Sequence, residues 1–464
     1  VYASYVVGLH EICNNIQNRI ITGWASGHWF SQTMTKGKWM NFIQRQHLII
    51  SVEKAGPDKL VKQSFPLRFG KYSEIKTPDF EFCFNLNGEI KSIRGLKTDW
   101  PHPAEQFKRT AGNDWIYYTV GDKSGDDGII SWMGEYYLPC LPYSSNPVWE
   151  IKYFSNPMVM SALAEWSQLF ANLYMANSKG LYPHAKDLIK RILANDERIL
   201  YERSQQLNKI IGGRVSVLPP DTRHVDYDII PLTIADGCLY HCKFCCVKTQ
   251  QKFQVRSKEN INEQLRGLKD HFCDDLVNYH ALFLANHDAL AAGENLICFA
   301  AEEAYQAFGF RQRMNQKPFL YLFGSVGSFL EARLALFEHL NRLPFYTYIN
   351  IGFESIDSET LSLIGKPITS VQVKEAFEKM IEINAAFDQI EVTGNFVAGD
   401  NLSPEHEGSL ADLLKHADLK KKSKGAVYIS PLKETPKKRE LLPRFYKIKE
   451  ESRLPVFVYL IQRL

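Results

Sequence analysis

Four of the nine cysteines fall within nine residues: Cys238, Cys242, Cys245 and Cys246. The spacing Cys-x3-Cys-x2-Cys sets three thiolates on one short loop. Three thiolates can hold three irons of a [4Fe–4S] cube, whereas full ligation by protein takes four cysteines, so the fourth iron is left open to another ligand. Cys246 adjoins Cys245, which turns its side chain elsewhere, and it is read as non-ligating. The alternative is structural zinc, which takes four Cys or His ligands, usually as two separated pairs. His241 and Cys246 are the local candidates for a fourth ligand, and both sit awkwardly against their neighbours. Cys13, Cys83, Cys140, Cys273 and Cys298 are scattered singly and are expected to be small buried hydrophobes. A tight cluster in a long, otherwise cysteine-poor chain points to metal binding in a reducing compartment, not to a secreted disulfide scaffold.

Such a loop must be held by something. From Tyr227 onward apolar runs alternate with amphipathic segments. The runs are Ile229–Ile234, Ala281–Ala285, Phe319–Phe323, Thr347–Ile351, Ile390–Val397 and Ala426–Ile429. Helices are expected near Lys258–Leu268, Glu294–Phe308, Phe329–Asn341, Ser370–Ile383 and Pro404–His416. Six strand-then-helix units in series imply a parallel sheet with helical crossovers, an α/β fold of the partial (βα)6 barrel kind. In such folds ligands sit at the C-terminal ends of the strands, and the cysteine loop directly follows the first. The Lys-rich run Lys420–Lys424 reads as a solvated turn.

The front of the chain differs. Asp79–Leu86, Trp115–Val120 and Val148–Phe154 are aromatic and β-branched and read as strands. Met158–Asn177 and His184–Ile211 show helical periodicity, and Gly212-Gly213 and Pro219-Pro220 punctuate a boundary. The expected organisation is a β-rich α+β N-terminal module (1–156), a helical linker region (157–226), the partial barrel (227–432) and a C-terminal extension (433–464) that caps it. The front module would present substrate, bind a partner or cover the barrel.

The cysteine loop, with Phe244 before its third Cys and a βα barrel around it, resembles the radical S-adenosylmethionine (SAM) superfamily over about 221–432. Phe283-Leu284-Ala285-Asn286-His287-Asp288-Ala289-Leu290 stands where that superfamily has Gly-Gly-Glu-Pro, a segment that binds the SAM amino group. Here Asn286-His287 replaces Gly-Gly, Asp288 replaces Glu and Ala289 replaces Pro. A carboxylate still offers an acceptor to an ammonium, so the resemblance makes Asp288 a SAM ligand; the alternative is an Asp that caps a helix. Leu322-Phe323-Gly324-Ser325 ends the third strand, where relatives place a polar residue near the SAM ribose or carboxylate. Ile351-Gly352-Phe353-Glu354-Ser355 resembles the family's Gly-x-Glu-Ser after the fourth strand, and Gly394–Gly399 its adenine-facing fifth-strand segment. The resemblance therefore implies Cys238, Cys242 and Cys245 as cluster ligands and Phe244, Asp288, Ser325, Glu354 and Val397 as SAM-binding residues. It implies reductive cleavage of SAM to a 5′-deoxyadenosyl radical that abstracts hydrogen from an unidentified substrate. An oxygen-sensitive cluster and a low-potential electron donor such as flavodoxin or ferredoxin go with that chemistry. No catalytic residue is assigned. His241 and Lys243 read as solvent-facing, Arg256 as an ordinary charge opening the next helix, and His287 as either a substrate contact or a structural histidine.

Competing readings remain: a non-catalytic binding protein with zinc or a structural Fe–S cluster at the loop, or a barrel that binds SAM without turnover. No second cysteine cluster and no Asp-x-His-x-x-Gly signature appear, which disfavours an auxiliary cluster and cobalamin. The 464 residues carry 55 Lys+Arg against 52 Asp+Glu, and a formal charge of +3 gives no push towards nucleic acid. No apolar run reaches the roughly 18 residues of a membrane span. The opening stretch VYASYVVGLHEICNN, which starts on Val1, lacks the basic start and long apolar run of a signal peptide. A cytoplasmic location is expected.

Overall fold

The computed structural model describes residues 33–35, 38–40, 43–45, 48–56, 70–101, 103, 105–119, 138–140, 156–176, 181–215, 217–245, 251–310, 316–419, 424–432 and 441–459. The expected strand Val148–Phe154 and the non-ligating Cys246 lie outside them. The chain forms two compact units, one of residues 1–55, 71–108 and 152–200, the other of 56–70, 109–151 and 201–464.

In the first unit, successive strands Ile43–Arg45, Leu48–Ala55, Lys71–Lys76, Phe80–Phe84, Ile90–Gly95 and Gln106–Arg109 pair antiparallel, each with the next. Register aligns Ile50, Ile75, Phe82, Ile93 and Phe107 in one buried apolar row. The neighbouring row is Ser51, Glu74, Cys83, Ser92 and Lys108, on the opposite face, as the two-residue side-chain period requires. Helices Pro157–Ala176 and Pro183–Leu193 follow. The long helix expected over 184–211 is two, the second running Glu197–Ile210. The cause is local: Asp196 Oδ1 accepts from the Ile199 N–H at 2.8 Å and starts a new helix, while the Asn195 amide donates to the Asn87 carbonyl.

In the second unit, β1 (Ile230–Thr233), β2 (Ala281–Ala285), β3 (Phe319–Ser325), β4 (Tyr346–Glu354), β5 (Ile390–Ala398), β6 (Val427–Pro431) and β7 (Val456–Val458) form one seven-stranded sheet in sequential order, parallel throughout. The six expected runs are all strands. The seventh comes from the tail, which adds to the sheet's edge through its pairing with β6. Helices α1 (Lys258–Phe272), α2 (Glu294–Phe308), α3 (Val326–Glu331), α4 (Leu334–Arg342), α5 (Ser358–Leu363), α6 (Ser370–Ala386), α7 (Glu405–Lys415) and α8 (Leu441–Glu451) connect them. The single helix expected over 329–341 is broken at Ala332, and Lys379 Nζ from α6 donates to the freed carbonyls of Phe329, Leu330 and Ala332. Lys424 is no solvated turn residue: its ammonium donates to the carbonyls of Phe387, Asp388 and Ile390 below β5. Of the scattered cysteines, Cys83 and Cys298 are buried as expected, but Cys273 is exposed, because it ends α1 with a positive φ of 46°. Among the described residues, no helix is long and apolar enough to cross a membrane.

Before β1, the 3-10 turn Pro220–Val225 is buried within the sheet's curve. Asp221 accepts from Thr393 Oγ1 (2.7 Å, β5) and Tyr428 OH (2.5 Å, β6). Arg223 lies 4.4 Å from the Phe457 ring centroid, and His224 packs on Tyr348 of β4. Residues so placed tie four strands to one plug, β5 and β6 by hydrogen bonds that are costly to lose in the interior and β4 and β7 by ring contacts. Burial raises the Asp221 carboxyl from 3.8 to about 6, against the hydrogen bonds from Tyr428 and Thr393. The folded state therefore keeps a proton that the unfolded chain releases, and stability falls as pH rises through that window, by on the order of 3 kcal/mol at most. Asp221→Asn removes this dependence: wild-type Tm minus variant Tm is expected to fall between about pH 4 and pH 7, and a flat difference would show the carboxyl to be unperturbed.

Candidate functional site

The cysteine loop is pinned at its base. Ala235 and Asp236 pair antiparallel with Val255 and Gln254, and Cys238 bridges to Lys252. Arg256 is no ordinary surface charge: its guanidinium grips Asp236 in a two-pronged pair (Nε–Oδ2 2.7 Å, Nη2–Oδ1 2.6 Å) and donates to the Ile211 carbonyl. Such a fork fixes direction as well as distance. Gly237 has φ +76°, and a Cβ there would stand 2.3 Å from the Lys252 carbonyl oxygen, so glycine is the residue that lets the chain turn out of β1.

Within the loop, Cys242 is buried, and Cys238 and Cys245 are half-buried. The Tyr240 N–H donates to Cys238 Sγ at 3.4 Å, and the Lys243 N–H donates to the Ile364 carbonyl at 2.9 Å, which moors the loop to the turn after α5. Burial pushes the thiols of Cys238 and Cys242 up, opposed at both by the Lys366 ammonium. Phe244 is half-buried, and His241 and Lys243 are exposed, as expected of the latter two. Among the described residues, no three His, Cys, Asp or Glu side chains converge on a position for a single metal ion.

Asp288 lies beyond β2, fully in the interior. Its Oδ1 accepts from Ser328 Oγ (2.7 Å) and the Ser325 N–H (3.2 Å). Its Oδ2 is buried with no hydrogen-bond partner among the described residues. Asp288 stands at the N-cap position of the 3-10 turn Ala289–Ala292 without a side-chain cap bond, although the Ala291 N–H of that turn acts to lower its pKa, and the helix Glu294–Phe308 is preceded by Gly293. Burial raises its pKa, with the Ser328 and Ser325 bonds opposing. A buried carboxylate oxygen left open is costly unless something donates to it. Its charge also reaches Cys238, whose thiol it raises, so an ammonium donor at Oδ2 would stand beside the cysteine loop.

Ser325 ends β3 but faces its own helix. It caps α3 in a capping box with Ser328, its Oγ accepting from the Ser328 N–H. Its N–H is shared between Ser328 Oγ (3.0 Å) and Asp288 Oδ1 (3.2 Å). Glu354 ends β4 after a break in register, with φ +65°. Its Oε1 lies 3.3 Å from Lys366 Nζ. Sequence reading missed Lys366. It is buried, 5.5 Å from the Tyr240 ring centroid, and although burial lowers its pKa, Glu354 and Cys242 prevail and raise it. A lysine after a Gly in a loop gives no periodic signal. The hint was Gly365, whose φ of +66° turns the chain so that Lys366 points inward. Gly352 leaves the space this pair occupies, since a Cβ there would come 2.6 Å from Glu354 Oε1. Val397, next to last in β5, is buried, and its carbonyl accepts from His406 Nε2 at 2.8 Å. His287 is half-buried, and burial lowers its pKa.

The residues present suit a cluster with an aminoacyl ligand: three soft thiols on one loop, an open carboxylate oxygen for an ammonium, and a buried cation near the thiols. The family model described as the radical SAM superfamily matches residues 232–414. No curated protein matches. Among solved structures the chain is similar to the radical S-adenosylmethionine methyltransferase TsrM from Kitasatospora setae with cobalamin and a [4Fe–4S] cluster bound (14% identity, TM-score 0.33, 48% of this chain and 41% of that one). It is also similar to Streptococcus suis SuiB bound to precursor peptide SuiA (12%, 0.34, 76% and 71%) and to the cobalamin-dependent S-adenosylmethionine radical enzyme OxsB with aqua-cobalamin bound (18%, 0.32, 50% and 32%). The match spans about two-fifths of TsrM and a third of OxsB.

The pinned loop generates a prediction of its own. Gly237→Ala must strain the backbone or displace Lys252, at a cost of about 1–3 kcal/mol. Urea unfolding of the metal-free protein should show a lower midpoint with an unchanged slope, and an unchanged midpoint would show that the turn tolerates a side chain.

Proposed function

From a chain that carries a radical SAM domain over residues 232–414, a family that uses a [4Fe–4S] cluster and SAM, we propose an enzyme that cleaves SAM reductively and abstracts hydrogen from a substrate. The observation that carries the reading is the open Oδ2 of Asp288 in the interior, within electrostatic reach of the Cys238 thiol. Cys238, Cys242 and Cys245 hold the cluster. Bound together, cluster and SAM supply the one-electron chemistry that yields a 5′-deoxyadenosyl radical.

The chain's own residues do the rest. Asp288 Oδ2 would accept from the SAM ammonium in a charge-assisted bond. Ser325 and Ser328 hold the carboxylate in place through Oδ1. Lys366 sets a fixed positive charge beside the thiolates and offsets part of the negative charge they gather. Glu354 keeps Lys366 oriented and faces SAM, as does the end of β5 at Val397. Phe244 shields the loop from water, and burial of Cys242 does the same from the inside. A low-potential donor such as flavodoxin or ferredoxin would supply the electron.

The test is anaerobic reconstitution, followed by EPR of the reduced protein with and without SAM and assay of 5′-deoxyadenosine in the same tubes. The expected result is a [4Fe–4S]⁺ signal that shifts when SAM is added, with 5′-deoxyadenosine formed. Cys242→Ala should lose the signal. Asp288→Asn should keep it but weaken SAM by roughly ten- to a hundredfold, as loss of a charged buried hydrogen bond costs about 1.5–3 kcal/mol. A protein that takes up no iron, or a cluster indifferent to SAM, would overturn the proposal.

A further inference from the structure

His406 plays no part in the mechanism above, yet it is one of the most enclosed polar side chains of the barrel, 1% exposed. It lies in the first turn of α7, and both ring nitrogens are engaged. Nε2 is 2.8 Å from the Val397 carbonyl oxygen, at the end of β5. Nδ1 is 2.8 Å from Ser355 Oγ, just past the end of β4. A carbonyl can only accept, so Nε2 carries the proton and Nδ1 accepts from the Ser355 hydroxyl. Burial lowers the imidazole's pKa, in keeping with the neutral form this arrangement requires. Ser355 Oγ in turn accepts from the Asp357 N–H at 3.0 Å, which starts α5. A second tie runs alongside, from the Ser403 N–H before α7 to Thr360 Oγ1 in α5.

The two strand ends so joined are the ones that matter for the site. Ser355 follows Glu354, which holds a left-handed backbone at φ +65° and carries Lys366. Past the register break at Gly352 the ladder between β4 and β5 pairs Glu354 with Phe396, the residue before Val397, and then ends. Beyond it, backbone pairing no longer sets the distance from Ser355 to Val397. We propose that His406 is a positioning residue for SAM, bridging the ends of β4 and β5 so that Glu354 and Val397 face the bound molecule at a fixed separation. This rests on the functional reading above. A neutral imidazole suits the task because it offers one donor and one acceptor on opposite sides of a rigid ring. It reaches a carbonyl and a hydroxyl at once, with little rotamer freedom to lose.

The test uses the full-length reconstituted protein and SAM itself. SAM affinity is read from titration of the reduced cluster's EPR shift, alongside Tm and amide hydrogen exchange at Ser355 and Val397–Gly399. His406→Phe keeps the ring and loses both bonds; SAM should bind about tenfold or more weakly, while the SAM-free EPR signal stays as in wild type. His406→Gln keeps a donor where Nε2 stood and should recover part of that loss; should His406→Phe fail to fold, it carries the test by binding SAM several-fold more weakly than wild type. Lys424→Met, which removes a half-buried clamp beneath β5, serves as the control: it should lower Tm and leave SAM affinity alone. Wild-type affinity in both His406 variants would overturn the inference, and so would equal weakening in His406→Phe and Lys424→Met at equal loss of Tm, since that is what general destabilisation would do. A wild-type cluster that ignores SAM would bring down the functional reading and the inference together, and that result is visible before any variant is made.

Discussion

The whole candidate site depends on the parallel register of β1 to β6. A parallel ladder brings every strand to its C-terminal end at the same edge of the sheet. Thr233 pairs with Ala285, Ser325 with Gly352, Asn395 with Gly352, and Val397 with Ser430. Cys238, Asp288, Ser325, Glu354 and Val397 are far apart in sequence, and each lies at or just past the end of a different strand. Their convergence follows from backbone hydrogen bonding, with no long-range side-chain contact needed to bring them together. What side chains add is the last adjustment at each end: the Arg256–Asp236 grip below the loop, the Ser325–Ser328 box under Asp288, and the His406 bridge beyond β4 and β5.

That division of labour explains which features were legible in the sequence. Strands buried on both faces read as unbroken apolar runs, so Ala281–Ala285 was placed to the residue. Glu294–Phe308 was equally plain, because Gly309 stops it in a left-handed turn. The cysteine loop stood out by spacing alone. Failures came where a tertiary partner decides the matter. Ala332 breaks a periodic helical pattern because Lys379, almost fifty residues on, satisfies its carbonyls. Val456–Val458 is too short to show a period and becomes a strand because β6 offers an edge. Pro220–Val225, polar and Pro-led, looks like a linker and is instead buried against four strands.

The same logic separates the site residues. Asp288 was inferred from its place after β2 despite an atypical segment, and its geometry suits the role, with one oxygen held and the other open. Ser325 was inferred on the same grounds, and its hydroxyl and N–H both take part in a capping box with Ser328, the N–H reaching Asp288 as well. Position along a strand identifies which residues arrive at the edge. It says nothing of which atom they present, because that is settled by the local hydrogen bonds each side chain finds first. Lys366 illustrates the converse: it belongs to no strand and arrives through a glycine turn, with Glu354 and Tyr240 to hold it.

Charge balance around the loop points the same way. Asp288 and Glu354 both raise neighbouring thiols, and Lys366 opposes them at Cys238 and at Cys242. Burial raises the carboxyl of Asp288 as it raises the thiols of Cys238 and Cys242. Binding iron would require Cys238, Cys242 and Cys245 as thiolates, with release of their protons. An ammonium at Asp288 Oδ2 would then meet a carboxylate already oriented by two serines.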